Sequence, residues 1–187
     1  MSLRRTIEVI SKLAERGVIK RYAIAGAVAA LNYIEPTLTD DLDVLISIGD
    51  FTKRKSGLIL LEPIEKALAE MGYVNRSDVG IVVAGWPVQF LPVASALDEE
   101  ALDKANEVEF RPHGEPPIKA RCLRAEHVVA IAVKIGRPKD WARVQEFLEQ
   151  RAVNLASLKR VLERHGLMDD WKRFCRRSGI RNPLPVS

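Results

Sequence analysis

Cysteine and histidine are scarce in this chain of 187 residues, and their scarcity argues against two kinds of small protein. The two cysteines, Cys122 and Cys175, lie far apart in sequence, which is not the pattern of a disulfide framework. We therefore expect a reducing, cytoplasmic setting. The three histidines have no metal-ligand spacing with one another or with the cysteines, so a zinc site is not expected.

Long apolar runs are also missing from the sequence. No stretch approaches the roughly 20 apolar residues that would span a bilayer. The first 17 residues are charged throughout and lack the apolar centre and small-residue cleavage site of a signal peptide. Hydrophobic residues still make up 47% of the chain, which is enough to bury a core. We expect a globular protein without a membrane partner.

Aromatic residues account for 6% of the chain, and no segment interleaves them with basic residues as a surface for stacking bases would. The net charge is +4, and basic residues cluster at 20–22, 53–55 and 172–181. Each cluster alone is typical of a solvated surface. Together they also fit an anionic partner such as a nucleotide, RNA or the acidic face of another protein.

Hydrophobic periodicity predicts an α+β fold with a small mixed sheet and flanking helices. The N-terminal 95 residues alternate helix and strand, with a polar loop at 49–57, and then continue as strands at 73–77, 80–85 and 88–93. Residues 107–110 and 118–123 can pair as a hairpin, and the chain is helical from residue 124 onward. We predict an α/β core over 1–122 and a C-terminal helical segment over 123–187 that packs on it.

Two acidic residues interrupt an apolar strand, which reads "DLDVLI" from Asp41 to Ile46. Residues two apart in a strand point the same way, so Asp41 and Asp43 share one side while Leu42 and Val44 face the core. A buried carboxylate is costly unless it is paired, hydrogen-bonded or bound to a metal, and a hard divalent cation suits such a pair. The alternative is that Asp40 and Asp41 form a turn or a cap.

Upstream, a predicted strand ends at Gly26 and runs directly into a helix. Such a junction presents free backbone N–H groups at a helix N-terminus, which favours phosphate binding. A glycine at this point would let a phosphate approach the backbone closely. The spacing therefore places a candidate phosphate-binding turn beside a candidate metal site.

These stretches resemble a known family. The segment "AIAGAVAAL" followed by "TLTDDLDVLI" is similar to the signature of the nucleotidyltransferase superfamily, whose fold is shared with DNA polymerase β. The segment "EHVVAIAVKIGRPKDWARVQEFL" resembles the helical part of minimal nucleotidyltransferases of the abortive-infection toxin type. Together the two resemblances cover about residues 20–150. They imply a nucleotidyltransferase-like fold and an NTP as substrate.

The resemblance implies roles for the acidic strand and the glycine turn. Gly26 and Ala27 would contact the nucleotide phosphates through the backbone, and Thr39 would support the acidic strand. Asp41 and Asp43 would be the catalytic residues and would hold one or two Mg²⁺ ions. The acceptor hydroxyl would belong to RNA, a protein or a small molecule.

The resemblance also implies roles for the helical segment. Lys134 would reach the triphosphate, and Arg137, Lys139 and Asp140 would line the same cleft. Plainer roles are open for two of these residues. Lys134 would simply extend its charged end to solvent from a buried helix, and Asp140 would sit in a first helical turn, paired with Arg143.

One position departs from the family pattern. The third carboxylate of the family lies on a later strand, and the matching stretch here, "PVQFLPV", carries Gln89. A glutamine can offer its carbonyl oxygen to a metal, so Gln89 is a further candidate ligand, but it adds no negative charge and is a poor general base. Asp78, Glu107 and Glu109 are candidates to replace the missing acid.

Two functions follow from these patterns. The first is a Mg²⁺-dependent enzyme that transfers a nucleoside monophosphate from an NTP to a hydroxyl. The second is a catalytically impaired module on the same fold, which binds a nucleotide, RNA or a partner protein. A third carboxylate near Asp41 and Asp43 would favour the enzyme, and its absence would favour the binding module.

Overall fold

The described part of the protein consists of one mixed sheet with helices around it. The structure, a computed structural model, describes residues 1–35, 39–47 and 61–185. The described strands are β1 Arg21–Ile24, β2 Leu42–Ser47, β3 Ile81–Val83, β4 Trp86–Pro92, β5 Asn106–Phe110 and β6 Ile118–Cys122. The described helices are α1 Leu3–Glu15, α2 Gly26–Ala30, α3 Glu62–Glu70, α4 Ala96–Asp103, α5 Ala125–Ile135, α6 Pro138–Glu149, α7 Leu155–Arg164 and α8 Met168–Arg177.

The strand order places β2 at the centre of the site described below. Across the sheet the strands run β3, β4, β2, β1, β6, β5. Strand β2 pairs in parallel with β4 and antiparallel with β1. Strand β1 pairs in parallel with β6, and the outer pairs β3–β4 and β5–β6 are antiparallel. The sheet is therefore mixed, and a chain segment on β2 is flanked on both sides by other strands.

The helices form where apolar side chains recur at helical spacing. Helix α1 begins after Ser2, whose hydroxyl oxygen accepts a hydrogen bond from the Arg5 backbone N–H, and it buries Ile7, Ile10 and Leu13 completely. Helix α5 is apolar on nearly every side, and helices α2, α4, α6, α7 and α8 pack around it. Helices α6 to α8 close over it with Phe147, Leu158, Leu162, Trp171 and Phe174, all fully buried.

The predicted α+β class, with a small mixed sheet, flanking helices and C-terminal helices, is confirmed by this layout. The predicted hairpin is confirmed as β5 and β6. The strand predicted at 73–77 is wrong, because this stretch has one isolated bridge, between Arg76 and Ile81. The polar loop predicted at 49–57 and its basic cluster at 53–55 lie outside the described residues. Within the described part of the chain, no helix has both the length and the apolarity that crossing a bilayer requires.

Candidate active site

The acidic pair lies at the start of β2, as the sequence predicted. Asp41 directly precedes the strand and Asp43 is its second residue. Leu42 and Val44, which alternate with them, are fully buried on the other side. Thr39 donates its hydroxyl to the backbone carbonyl oxygen of Asp41 at 3.1 Å and to its carboxylate at 3.3 Å. Thr39 therefore fixes the turn that leads into the acidic strand.

Gly26 lies directly against the Asp43 carboxylate. Antiparallel pairing brings Ile24 opposite Val44, and the Ala25 N–H donates to the Asp43 carbonyl oxygen at 2.9 Å. Helix α2 then begins at Gly26 with φ +58, in the left-handed region. A Cβ atom at this position would lie 2.0 Å from Asp43 Oδ2. A glycine is therefore required here for two reasons: the backbone conformation and the space that the carboxylate occupies.

Gln89 is the neighbour of Asp43 on the adjacent strand. The parallel register of β2 and β4 pairs Asp43 with Gln89. Gln89 therefore lies beside the acidic strand. The family resemblance matched this glutamine to the position of the third carboxylate. In the described residues, no group of three or more histidine, cysteine, aspartate or glutamate side chains is arranged to hold a metal ion.

The candidates for a substitute acid do not complete such a group. Glu107 and Glu109 lie on β5, which is separated from β2 by β1 and β6, so both candidates were wrong. The carboxylate of Glu107 lies 3.5 Å from Lys119 Nζ, and that of Glu109 lies 2.7 Å from Arg111 Nη2. Asp78 lines a cleft together with Asp41, but it does not form a three-acid cluster with the pair.

The loop from α5 to α6 brings a set of cations towards the acidic pair. The Arg137 guanidinium donates to both carboxylate oxygens of Asp140, at 2.7 and 3.2 Å. Arg143 lies one helical turn later, with Nη1 3.6 Å from Asp140 Oδ1. Asp140 itself is 1% exposed. Asp140 therefore holds two arginines in place. Its contact with Arg143 is the structural pairing that the sequence analysis gave as an alternative to a role in the cleft.

Electrostatics link these cations to the acids. Burial raises the pKa of Asp43 above its ordinary value, and the negative charge of Asp41 raises it further. The positive charges of Arg143, Lys139 and Arg137 oppose this rise in the pKa of Asp43. The Asp140 carboxylate raises the pKa of Arg137, and the two acids of the pair raise it further. The ionised form of Asp43 is thus disfavoured even though three cations face it.

Two clefts meet at the acidic pair. The first, of about 500 Å³, is lined by Ala27, Thr39, Asp41, Lys139 and Arg143 among others. The second, of about 450 Å³, is lined by Gly26, Asp43, Gln89, Lys134, Arg137, Asp140 and Arg143 among others. The site residues predicted from the sequence therefore all lie on these two surfaces, and Arg143 lies on both.

The second cleft is lined by both charged and apolar residues. Its larger apolar lining residues include Leu45, Leu91, Val128, Ile131 and Ile135. Lys134 borders it and donates its ammonium to the Ser95 hydroxyl at 2.9 Å, although the lysine side chain remains exposed to solvent. The cleft therefore offers apolar contacts and cations to one ligand.

Arg143 and Ser95 were missed as site residues by the sequence analysis. Arg143 is four residues after Lys139 and three after Asp140, and this spacing alone places it on the same face of α6. No comparable signal was present for Ser95. It is recognisable as the N-cap of α4, but its contact with Lys134 joins residues 39 positions apart.

Comparison with known proteins gives similarity at the level of structure. A scan of the sequence against protein-family models found no match, and a search of curated proteins found none. The crystal structure of ANT(2″)-Ia in complex with adenylyl-2″-tobramycin is similar, with a TM-score of 0.48 and 13% identity over 89% of this chain and 94% of that chain. A solution structure of the antibiotic-resistance factor ANT(2″)-Ia has a TM-score of 0.46 and 15% identity over 90% and 97% of the two chains. Similarity at this level assigns neither a family nor an activity to this chain.

Proposed function

We propose that this chain is a Mg²⁺-dependent nucleotidyltransferase, which moves a nucleoside monophosphate from an NTP to a hydroxyl acceptor on RNA, a protein or a small molecule. The observation that carries the proposal is the pair Asp41 and Asp43, half-buried with like charge beside Gly26 and facing cations from α6. The same residues carry the resemblance to the nucleotidyltransferase superfamily. The finer resemblance, to the abortive-infection toxin type, stays a prediction.

The residues present fit one divalent cation. Two carboxylates that are partly removed from water and repel each other form a site that a hard cation would stabilise. Asp41 and Asp43 would hold Mg²⁺, and the side-chain carbonyl oxygen of Gln89 is the available further ligand on the neighbouring strand. When bound, Mg²⁺ would neutralise phosphate charge and increase the electrophilicity of the reacting phosphorus.

The other residues of the site bind and orient the nucleotide. Lys134 and Arg137, which line the second cleft, would bind the β- and γ-phosphates, and the apolar lining residues of the cleft would hold the base. Lys139 and Arg143 would bind phosphate oxygens on the side of the first cleft. In the transfer, the acceptor oxygen bonds to the α-phosphorus, the bond to the bridging oxygen of pyrophosphate breaks, and the hydroxyl proton is released to water.

Calorimetric titration of each of the four NTPs, with and without Mg²⁺, tests the site. We expect the wild type to bind at least one NTP in a Mg²⁺-dependent way and Asp43→Asn to lose that dependence. Asp169→Asn is the matched control, because it removes the same charge from an exposed position on α8. An absence of Mg²⁺-dependent binding by the wild type would refute the proposal.

Transfer is tested separately from binding. We expect pyrophosphate release, and labelling of an acceptor from α-³²P-labelled NTP, by the wild type and not by Asp43→Asn. Candidate acceptors to supply are total RNA, a cell protein extract and small-molecule hydroxyl compounds. If NTP binds but no pyrophosphate is released in the presence of all three acceptors, the transfer step is contradicted and only nucleotide binding is supported.

A second candidate function, a catalytically impaired module that binds a nucleotide, RNA or a partner protein, is favoured by one observation. Gln89 is the register partner of Asp43, and the described residues supply no third acid to the pair. The variant Gln89→Asp separates the two functions, because it would add the third carboxylate. If the wild type releases no pyrophosphate and Gln89→Asp does, the impaired module is supported. Pyrophosphate release by the wild type itself would exclude it.

A further inference from the structure

A second charged pocket lies between α4, α5 and α7, outside the two clefts of the candidate active site. It has a volume of about 120 Å³ and is lined mainly by polar and charged residues. Four of its lining residues are cations, namely Lys104, Arg124, Arg160 and Arg164, and two are acids, Glu100 and Glu126. The pocket therefore has an excess of positive charge even when its histidine is neutral.

One of the two acids is already compensated by other groups. Glu100 Oε1 pairs with Arg164 and lies 3.4 Å from His127 Nε2 and 3.6 Å from Lys104 Nζ. Glu100 Oε2 lies 2.8 Å from His165 Nε2. These partners lower the pKa of Glu100 to about 2, against the cost of its burial, so the carboxylate stays ionised and balances the charge on α7.

The remaining cations have weaker partners. Arg124 Nε lies 3.9 Å from Glu126 Oε2, which is at the limit of an ion pair. Arg160 donates to the Ser157 hydroxyl at 2.9 Å, and within the described residues it has no carboxylate within 4.0 Å. Two arginines from different helices therefore border one small cavity with their charge largely uncompensated, which is the arrangement that binds phosphate oxygens.

A buried group at the same pocket also lacks a partner. His127 is 2% exposed, and its Nδ1 atom has no hydrogen-bond partner among the described residues. A buried nitrogen of this kind is normally satisfied by protein, water or ligand. An entering anion with a hydroxyl, or the water that accompanies it, would supply such a partner.

The size of the pocket limits what it can hold. A volume of about 120 Å³ corresponds to about four water molecules at 30 Å³ each. That space fits a single phosphoryl group and is too small to enclose a whole nucleoside triphosphate. We propose that the pocket bordered by Arg124, Arg160 and Lys104 binds one phosphate group, carried either by a small phosphate compound or by a nucleic acid.

The pocket is related in space to the candidate active site. Ser95 at the start of α4 contacts Lys134 at the end of α5, whereas Glu100, further along α4, contacts His127 at the start of α5. The two helices therefore run antiparallel, and the pocket lies at the opposite end of α5 from Lys134. Seven residues separate His127 from Lys134, which is a distance of about 10 Å along the helix. The proposal does not depend on transferase activity, because its residues are separate from the acidic pair.

The first test is titration with inorganic phosphate, followed by amide NMR shifts, at constant ionic strength maintained with chloride. We expect saturable shifts at residues 124–127 in the wild type. The double variant Arg124→Gln and Arg160→Gln should weaken binding at least tenfold. Both side chains are largely on the surface, and thermal unfolding will verify that the variant folds. The control is the double variant Arg5→Gln and Arg176→Gln, which changes the net charge equally at exposed positions outside the pocket.

A second arm identifies the source of the phosphate. Hexanucleotides with a 5′-phosphate and with a 5′-hydroxyl are compared in the same variants. Tighter binding of the phosphorylated form, lost in the pocket variant, supports a nucleic-acid phosphate, whereas saturation by inorganic phosphate alone supports a small phosphate compound. The pocket variant should leave Mg²⁺-dependent NTP binding unchanged, which separates this pocket from the candidate nucleotide site. No saturable binding by the wild type, or equal affinity in the pocket variant, would overturn the proposal.

Discussion

The substitution Gly26→Ala tests the contact on which the candidate active site is built. Gly26 has φ +58, and an alanine in the left-handed region costs about 1–2 kcal/mol. Its Cβ would also lie 2.0 Å from Asp43 Oδ2 and 2.8 Å from Asp43 Cγ, so the carboxylate or the β1–α2 junction must move. Overpacking of this kind adds about 1–3 kcal/mol. We expect a total loss of about 2–5 kcal/mol in the free energy of unfolding.

Gly17→Ala is the matched control for this experiment. Gly17 follows α1 with φ +71, and a Cβ atom there would have no atom within 4 Å. It therefore carries the same backbone cost without the steric one, about 1–2 kcal/mol. Urea unfolding followed by tryptophan fluorescence gives both stabilities, and calorimetry gives Mg²⁺-dependent NTP binding, which only Gly26→Ala should lose. Equal stability losses with intact NTP binding in both variants would refute the reasoning that Asp43 packs against Gly26.

Three further predictions concern charged groups. Because the pKa of Asp43 is raised in the folded state, the wild type loses stability as pH rises through the unfolded value, near 4, towards the folded value. Asp43→Asn lacks this loss. In urea unfolding, the free energy of unfolding of Asp43→Asn should therefore rise relative to that of the wild type between pH 3 and pH 7, and a constant difference would contradict this. The pKa of Glu100 is lowered from 4.5 to about 2, so its contribution is present above pH 4.5 and is lost as pH falls towards 2. Glu100→Gln should therefore be less stable than the wild type by about 1–2 kcal/mol at pH 6, and this difference should narrow as the pH falls. A difference that does not change with pH would show that Glu100 does not act through its charge. Lys134→Gln should weaken NTP binding by about tenfold in calorimetry, whereas Lys172→Gln, at an exposed position on α8, should not. Equal affinities of the two variants would exclude Lys134 as a phosphate ligand.

Local patterns in the sequence predicted most of the helices and the acidic strand correctly. The chain was predicted to be helical from residue 124 onward, and the apolar faces of helices α5 to α8 are set by neighbours within one or two turns, so periodicity was sufficient. The strand predicted at 73–77 failed because strand formation depends on a partner elsewhere in the chain, and this stretch has only the bridge from Arg76 to Ile81.

The candidate site was predictable where a motif fixed the spacing. Asp41, Asp43 and Gly26 follow from the alternation of the strand and the glycine turn. The family resemblance assigned Gln89 to a later strand, and the structure pairs that strand with β2. Two features of the site could not be predicted without knowledge of the fold. The Asp43 carboxylate occupies the space that a side chain at residue 26 would fill, and buried Asp140 fixes Arg137 and Arg143. Both depend on contacts between elements whose relative positions the sequence does not state.

The acids on β5 have a consequence for solution behaviour. Strand β5 is an outer strand of the described sheet, so one side of its backbone has no strand partner there. Exposed backbone of this kind can pair with the edge of another molecule, and charged side chains are a common protection against such pairing. Glu107 and Glu109, which are not near the acidic pair, stand on this strand at exposed or partly exposed positions. Edge-to-edge pairing with a second copy would remove these carboxylates and their partners Arg111 and Lys119 from water, and this cost disfavours growth of the sheet between molecules.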